Sequence, residues 1–207
     1  KDIISDRIYV IPNTSKTDKE ILSFNQKLGE ALPYITENGS AIKGLNLINK
    51  DLPKELILSK EKEELINIFK NEVPEDLKIK CKWITKMSKE NQLKILGLPE
   101  DQITNALDRR YTVPFIFDGN KNEINQLSKI LKLKGLTLQE GGRVINLCDK
   151  VSKAKAMQIF IRFFKKNNEN IKTIAVGDNY NDLNMLKISD YPCLVFNDQF
   201  RLDQIFI

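Results

Sequence analysis

The stretch with the most chemical content is Thr173-Ile174-Ala175-Val176-Gly177-Asp178-Asn179-Tyr180-Asn181-Asp182-Leu183-Asn184-Met185-Leu186. Its apolar start predicts a buried strand that ends at Gly177-Asp178. In a parallel α/β sheet, sites form at that end of a strand. Asp178 and Asp182 are four residues apart across a tight turn into a helix, so both can face one pocket. Two carboxylates with no basic neighbour suit a hard divalent cation such as Mg²⁺. Asn181 can orient them from outside the metal's own shell. The competing reading is a helix start, with Asp178 or Asn179 as the cap and Asp182 favoured by the helix dipole.

Composition narrows the chemistry further. The 207 residues contain no histidine. That excludes a Ser-His-Asp or Cys-His site and every His-ligated zinc or haem site. Cys81, Cys148 and Cys193 are far apart, so no CxxC and no disulfide framework is present; three buried thiols are expected. Catalysis must come from Asp, Glu, Lys, Ser or Thr. The net charge is +5, but the excess is spread through helices, as in Lys60-Glu61-Lys62-Glu63-Glu64, which reads as a solvated face. There is one Trp and no aromatic-basic ladder, so no nucleic-acid partner is expected. No apolar run approaches the ~18 residues of a membrane helix. Lys1 to Asp6 has no apolar core of a signal peptide, and the reading is a cytoplasmic protein with no membrane partner.

The elements that must position these groups fall into three blocks. Residues 7–14 read as a buried strand opening into a helix from Asp18 to Leu28. A second strand, Leu32 to Thr36, ends in the turn Glu37-Asn38-Gly39. This strand–helix–strand order predicts a parallel α/β unit. The middle, 43–148, has helices at about 59–71, 88–96, 99–108 and 121–134. Short strands are expected near 79–86, 112–117, 136–140 and 143–147. Pro and Gly, including Gly141-Gly142, mark the turns. Helices on one face of a mainly antiparallel sheet fit this α+β pattern. The third block has a helix from Lys153 to Asn167, a strand at 171–176, a short helix from Asp182 to Ile188 and a last strand from Cys193 to Phe196. The expected division is an α/β core at 1–42 and 149–207 with an α+β insertion at 43–148.

The string Gly-Asp-x-x-Asn-Asp-x-x-Met-Leu resembles the fourth motif of the haloacid-dehalogenase superfamily of phosphatases. Thr14-Ser15-Lys16 stands where that superfamily places a phosphate-binding hydroxyl. A hydroxyl and N–H groups at a helix start form a natural phosphate seat, although a plain N-cap gives the same pattern. Lys153, opening its helix in Ser152-Lys153-Ala154-Lys155, matches the third-motif lysine that pairs with phosphate and the nucleophilic carboxylate. Lys is a point charge suited to that task. The resemblance implies a parallel-sheet core of the Rossmann-like kind with an inserted C2-type cap, Mg²⁺ as cofactor and metal ligands Asp178 and Asp182.

A narrower resemblance is to the mannosyl-3-phosphoglycerate phosphatase family. It rests on Thr14-Ser15-Lys16-Thr17 with Glu20, Tyr34 to Ile42, Gly97-Leu98-Pro99, Arg109 to Phe115 and Gly141-Gly142-Arg143. It implies that Glu37, Asn38 and Gly39 lie at the core–cap junction. It also implies substrate contacts from these three and from Lys16, Arg109, Thr112, Arg143 and Asn181, with Arg109 and Arg143 toward the phosphoglycerate or sugar. Two of the six arginines stand beside turns in the insert, and an anionic ligand wants such bidentate partners.

Two departures stand out. The family's Tyr-Ser-Glu-Pro reads Tyr111-Thr112-Val113-Pro114, and Val113 cannot hydrogen-bond a sugar. The Asp-x-Asp pair that supplies nucleophile and general acid does not occur in the 207 residues. Lys1 to Asp6 then reads as the tail of a helix after an absent first strand. The expected activity is a Mg²⁺-dependent phosphomonoesterase acting on a phosphorylated sugar-glycerate through an aspartyl-phosphate. The alternatives are another sugar-phosphate phosphatase or phosphomutase of this type, or a non-catalytic relative that binds phosphorylated ligands.

Overall fold

A computed structural model describes residues 8–141, 143–167, 170–178 and 180–195. Arg7, Gly142, Asn179, Phe196 and the expected helix tail at Lys1 to Asp6 lie outside the described residues.

The first block is built around a three-stranded antiparallel sheet, β1 (Tyr34–Thr36), β2 (Ala41–Lys43) and β3 (Glu55–Ile57), in that order. Before it runs α1 (Asp18–Leu28), which has the expected bounds. The α1 start is a capping box: Thr17 Oγ1 accepts from Glu20 N–H at 3.3 Å, and Glu20 Oε2 accepts from Thr17 N–H at 2.9 Å. That satisfies two of the helix's orphan donors.

The strand expected at 7–14 is a correction. Only Asn13 makes a bridge, parallel, to Ile35. Ile35 N–H donates to Pro12 O at 2.7 Å and Thr14 N–H to Ile35 O at 3.0 Å. Ile8 and Tyr9 are about half exposed, so the β-branched run is not buried along its length. The parallel strand–helix–strand logic survives as this short pairing.

The middle block carries a four-stranded antiparallel sheet. Its strands are β4 (Cys81–Trp83), β5 (Thr112–Phe117), β6 (Leu136–Glu140) and β7 (Ile145–Asp149), in the order β4-β5-β7-β6. Helices α2 (Lys62–Glu72), α3 (Glu75–Lys78), α4 (Lys89–Leu96), α5 (Glu100–Leu107) and α6 (Lys121–Leu133) surround it. Their positions follow the expected pattern; α3, β2 and β3 were not anticipated. Leu65 and Phe69 of α2 and Leu127 and Leu131 of α6 bury against Val113, Phe115, Leu136 and Leu147 of the sheet. Trp83 bridges Phe69 and Phe115 edge-on, with centroids 4.8 and 5.3 Å away. Side chains alternate across a strand, so Val113 and Phe115 take the helix-covered face and Thr112 the other.

The last block is α7 (Lys153–Asn167), β8 (Ile174–Gly177), α8 (Leu183–Lys187) and β9 (Tyr191–Leu194). β8 and β9 pair in parallel. A 3₁₀ turn at Tyr180–Asp182 precedes α8, so that helix starts one residue later than expected. Cys81 and Cys148 are buried as expected, whereas Cys193 is exposed, as are Tyr191 and Pro192 before it in β9.

Leu45, Leu52, Leu56 and Leu58 pack with Ile35, Ile42, Ala156 and Phe160 of the first and last blocks. We therefore propose that the core extends to about residue 58 and that the insertion begins there rather than after residue 42. Two crossings then join core and cap, at 58–61 and 149–152. Asp149 ties them together: its carboxylate accepts from Lys60 N–H at 2.9 Å and pairs with Lys60 Nζ at 3.3 Å. Burial alone would raise the Asp149 carboxyl. The Lys60 and Lys150 N–H groups and the Lys60 ammonium outweigh that and hold it below its ordinary value.

Phe115→Ala should cost about 3–5 kcal/mol of unfolding free energy, read by urea titration; a loss under about 1 kcal/mol would contradict the packing described. Asp149 has a lowered folded-state pKa, so its stabilisation is present above the ordinary carboxyl value of 3.8 and is lost as pH falls through the folded value. The Tm gap between wild type and Asp149→Asn should therefore close below about pH 3.8. A gap that persists unchanged into that range would show that Asp149 stabilises by other means.

Candidate active site

Three chain segments converge beside Lys153. Asn13 Nδ2 donates to the Lys153 carbonyl at 3.1 Å and contacts Met185 Sδ at 3.2 Å, which draws the end of the first segment to α7 and α8. The turn Glu37-Asn38-Gly39 presses on the same place. A Cβ at Gly39 would run into the Ser152 carbonyl, and Asn38 N–H donates to Thr14 O at 2.9 Å. Gly39 has φ +98° and the preceding Glu37 and Asn38 also have positive φ, 44° and 62°. Left-handed backbone costs a non-glycine residue roughly 1–2 kcal/mol. The turn thus holds two such residues, Glu37 and Asn38, in a row before Gly39 for the sake of its contacts.

The Lys153 ammonium reaches Asp182 Oδ1 at 2.7 Å, with 10% and 6% of the two side chains exposed. The other Asp182 oxygen accepts from Asp178 N–H at 3.3 Å. Gly177 makes this possible, because a Cβ there would lie 2.5 Å from Asp182 Cβ. The expected pairing of two carboxylates in one pocket is therefore changed. Asp178 is exposed at the tip of β8, whereas Asp182 is buried and faces a lysine rather than standing without a basic neighbour. Asp182 pairs with Lys153, and Asp178 presents its side chain at the strand tip. Asp182 occupies the α8 N-cap without a side-chain capping bond. Asn181 is half-buried in the 3₁₀ turn.

Thr14 and Ser15 are half-buried. Thr17, not Thr14, caps α1. The Thr14 hydroxyl instead accepts from Lys16 N–H at 3.2 Å, and it keeps its own hydrogen available to a ligand. Lys16 is exposed at the rim and pairs with Glu20 at 3.0 Å. Its carbonyl accepts from Thr36 Oγ1 at 2.7 Å and Glu37 N–H at 3.0 Å, which fastens the 14–16 loop to the turn.

The cap meets this loop through Arg109. Arg109 Nη1 donates to Ser15 O at 3.2 Å and to Thr112 Oγ1 at 2.8 Å. Glu37, 1% exposed, holds that stretch: its carboxylate accepts from Arg110 N–H at 2.9 Å, Tyr111 N–H at 3.1 Å and Thr112 Oγ1 at 2.6 Å. Hydrogen bonds to a charged acceptor are worth about 1.5–3 kcal/mol each. Glu37 and Thr112 thus satisfy each other, where the resemblance implied substrate contacts. A cavity of about 440 Å³ opens here between Asp18, Glu37, Lys43, Arg109, Arg110 and Tyr111. Burial, reinforced by Glu55, raises the Tyr111 hydroxyl to about 12, so it stays neutral.

Arg143 lies elsewhere than expected. It is exposed and donates to the Leu96 carbonyl at the end of α4, with its guanidinium against Gly97. Val113 is buried in the apolar cap core, on the strand face opposite Thr112. Asn13 was missed as a site-building residue; its only sequence signal is its place just before Thr14.

The sequence matches the haloacid dehalogenase-like hydrolase family over residues 1–205. The chain belongs to that family. A glucosyl-3-phosphoglycerate/mannosyl-3-phosphoglycerate phosphatase from Persephonella marina is 32% identical over 192 residues, covering 88% of this chain and 70% of its own length. A mannosyl-3-phosphoglycerate phosphatase from Pyrococcus horikoshii is 27% identical, covering 90% and 76%. The fold is shared with a sucrose-phosphatase from Synechocystis solved with sucrose and phosphate, at TM-score 0.54 and 14% identity over 98% of this chain and 76% of that one. The expected haloacid-dehalogenase core with an inserted α+β cap is thus the fold of this chain. Among the described residues, no helix is long and apolar enough to cross a membrane.

The Lys153–Asp182 pair should be energetically coupled. A Lys153→Met, Asp182→Asn double-mutant cycle in thermal or urea unfolding should show about 1.5–3 kcal/mol of coupling. Additive single effects would contradict the pair.

Proposed function

We propose that this haloacid dehalogenase-type phosphatase hydrolyses a phosphomonoester that also carries a carboxylate, a phosphorylated sugar-glycerate. The observation that supports it most is the position of Arg109. It reaches from the cap to the Ser15 carbonyl, in the loop read as the phosphate seat. A substrate whose phosphoryl group lies in that loop would bring its carboxylate within reach of a guanidinium from the cap. The relatives named for glucosyl- and mannosyl-3-phosphoglycerate support the same substrate class.

In this reading Thr14 and Ser15 bind phosphoryl oxygens, and Lys153, aligned by Asp182, places a positive charge beside them. Mg²⁺ usually takes one or two carboxylates and completes its shell with water and phosphate oxygens. No three of His, Cys, Asp and Glu gather at one point among the described residues. Asp178, exposed at a strand tip, fits such a sparse site. When bound, the ion would neutralise charge on the phosphoryl oxygens. Arg109 would bind the glycerate carboxylate, and the cap above the loop would exclude water. No Asp-x-Asp occurs in the 207 residues, and no nucleophile is assigned among them. We place the reaction in the cytoplasm.

The test uses the full encoded chain. Asp178→Asn should lower Mg²⁺-dependent p-nitrophenyl phosphate hydrolysis by at least about 100-fold; wild-type activity would refute the metal role. Arg109→Ala should raise KM for glucosyl- or mannosyl-3-phosphoglycerate about tenfold or more beyond its effect on the aryl phosphate. Equal effects would remove the claim of carboxylate recognition. Tight binding without turnover of any phosphomonoester would favour the non-catalytic alternative.

A further inference from the structure

We propose that Glu37 is a positioning residue, whose buried carboxylate docks the cap onto the core and, through Thr112, aims Arg109 at the anionic end of the substrate. The aiming half rests on the reading of Arg109 given above; the docking half does not.

The acceptor and its donors belong to different parts of the chain. Glu37 stands in the turn between β1 and β2, and Arg110, Tyr111 and Thr112 lead into β5. Three donors converge on the carboxylate within 3.1 Å. A hydroxyl has one hydrogen. Thr112 gives that hydrogen to Glu37, so its lone pairs are left for Arg109 Nη1. The direction of the Thr112 hydroxyl, and with it the seat of the guanidinium, follows from the charge on Glu37. Arg109 Nε is buried without an acceptor. The guanidinium is therefore held along its Nη1 side by Thr112 and Ser15 and unsatisfied at Nε. A substrate oxygen anion is the group that would complete it, since a fork of N–H donors matches a carboxylate.

A carboxylate that only filled space would not need this arrangement. With Gln at this position one oxygen becomes an NH₂, which repels at least one of the three donors. The Thr112 hydroxyl then no longer faces a charged acceptor, which weakens its hold on Arg109. Removing the Thr112 hydroxyl leaves the two backbone bonds to Glu37 in place and cuts the third, and with it the link to Arg109.

Glu37→Gln and Thr112→Val, in the full encoded chain, separate docking from aiming. Without substrate, amide hydrogen exchange at Arg110 or Tyr111 should accelerate at least tenfold in Glu37→Gln, while Phe115 and Phe117 keep wild-type rates. Thr112→Val should leave the Arg110 and Tyr111 amides protected. In both variants KM for a sugar-glycerate phosphate should rise at least tenfold more than KM for p-nitrophenyl phosphate. Unchanged exchange at both amides in Glu37→Gln overturns the docking role. Equal KM changes on the two substrates overturn the aiming role. If the wild type hydrolyses the aryl phosphate but no sugar-glycerate phosphate, while exchange changes as stated, the docking role stands and the substrate reading fails.

Discussion

The turn at Glu37-Asn38-Gly39 is the constraint on which the rest of the site depends. Of its three consecutive residues with positive φ, Glu37 and Asn38 are not glycine, which is uncommon backbone. Here they let one short loop make contacts in three directions. Asn38 N–H holds the Thr14 carbonyl, Gly39 lies flat against Ser152, and the Glu37 side chain enters the cap. A carboxylate at 1% exposure is costly unless its lone pairs are filled, and three donors fill them. The same bonds that offset that cost bring the 14–16 loop, the start of α7 and the start of β5 together.

The core side of the site is arranged by a second buried charge. Lys153 opens α7 and meets Asp182 beyond the tip of β8, so two distant chain segments are fixed by one ion pair. Gly177 gives Asp182 the room to approach. Asp178 is exposed at the strand tip. The motif's two carboxylates take unlike environments, one buried against a lysine and one exposed. Around this, the Lys60–Asp149 pair holds the two chain crossings side by side, and Thr17 Oγ1 donates to Asn105 O at 2.6 Å, joining α1 to α5. Core and cap are therefore fastened at several points around the 440 Å³ cavity.

Much of this architecture is legible in the residues. The α1 and α7 bounds follow from periodicity together with local signals, the Thr17 cap with Glu20 for α1. The β5 and α6 positions follow from alternation and from the Asn120 capping box. Residues 8–12 mislead because a β-branched run signals a strand only where partners exist on its flanks, and here one bridge forms. Short strands such as β2 and β3 carry too few residues for a period to show. The site residues are legible by type, but the contacts they make are not. No local signal says that Asp182 will meet a lysine 29 positions earlier, or that Glu37 will face donors 73–75 positions later. Those are long-range contacts set by packing. Arg143 shows the reverse: a basic residue beside a turn looks like a ligand group, yet it serves the end of α4.

The central claim is that the substrate's phosphoryl group binds between the 14–15 loop and Lys153, with Arg109 turned to its carboxylate. The most direct measurement is a crystal structure of the full encoded chain with tungstate, a phosphate mimic located by its anomalous signal. The account predicts tungstate within hydrogen-bond reach of the Thr14 or Ser15 hydroxyl and of Lys153 Nζ. Tungstate at full occupancy elsewhere, with none of these groups in contact, would contradict it.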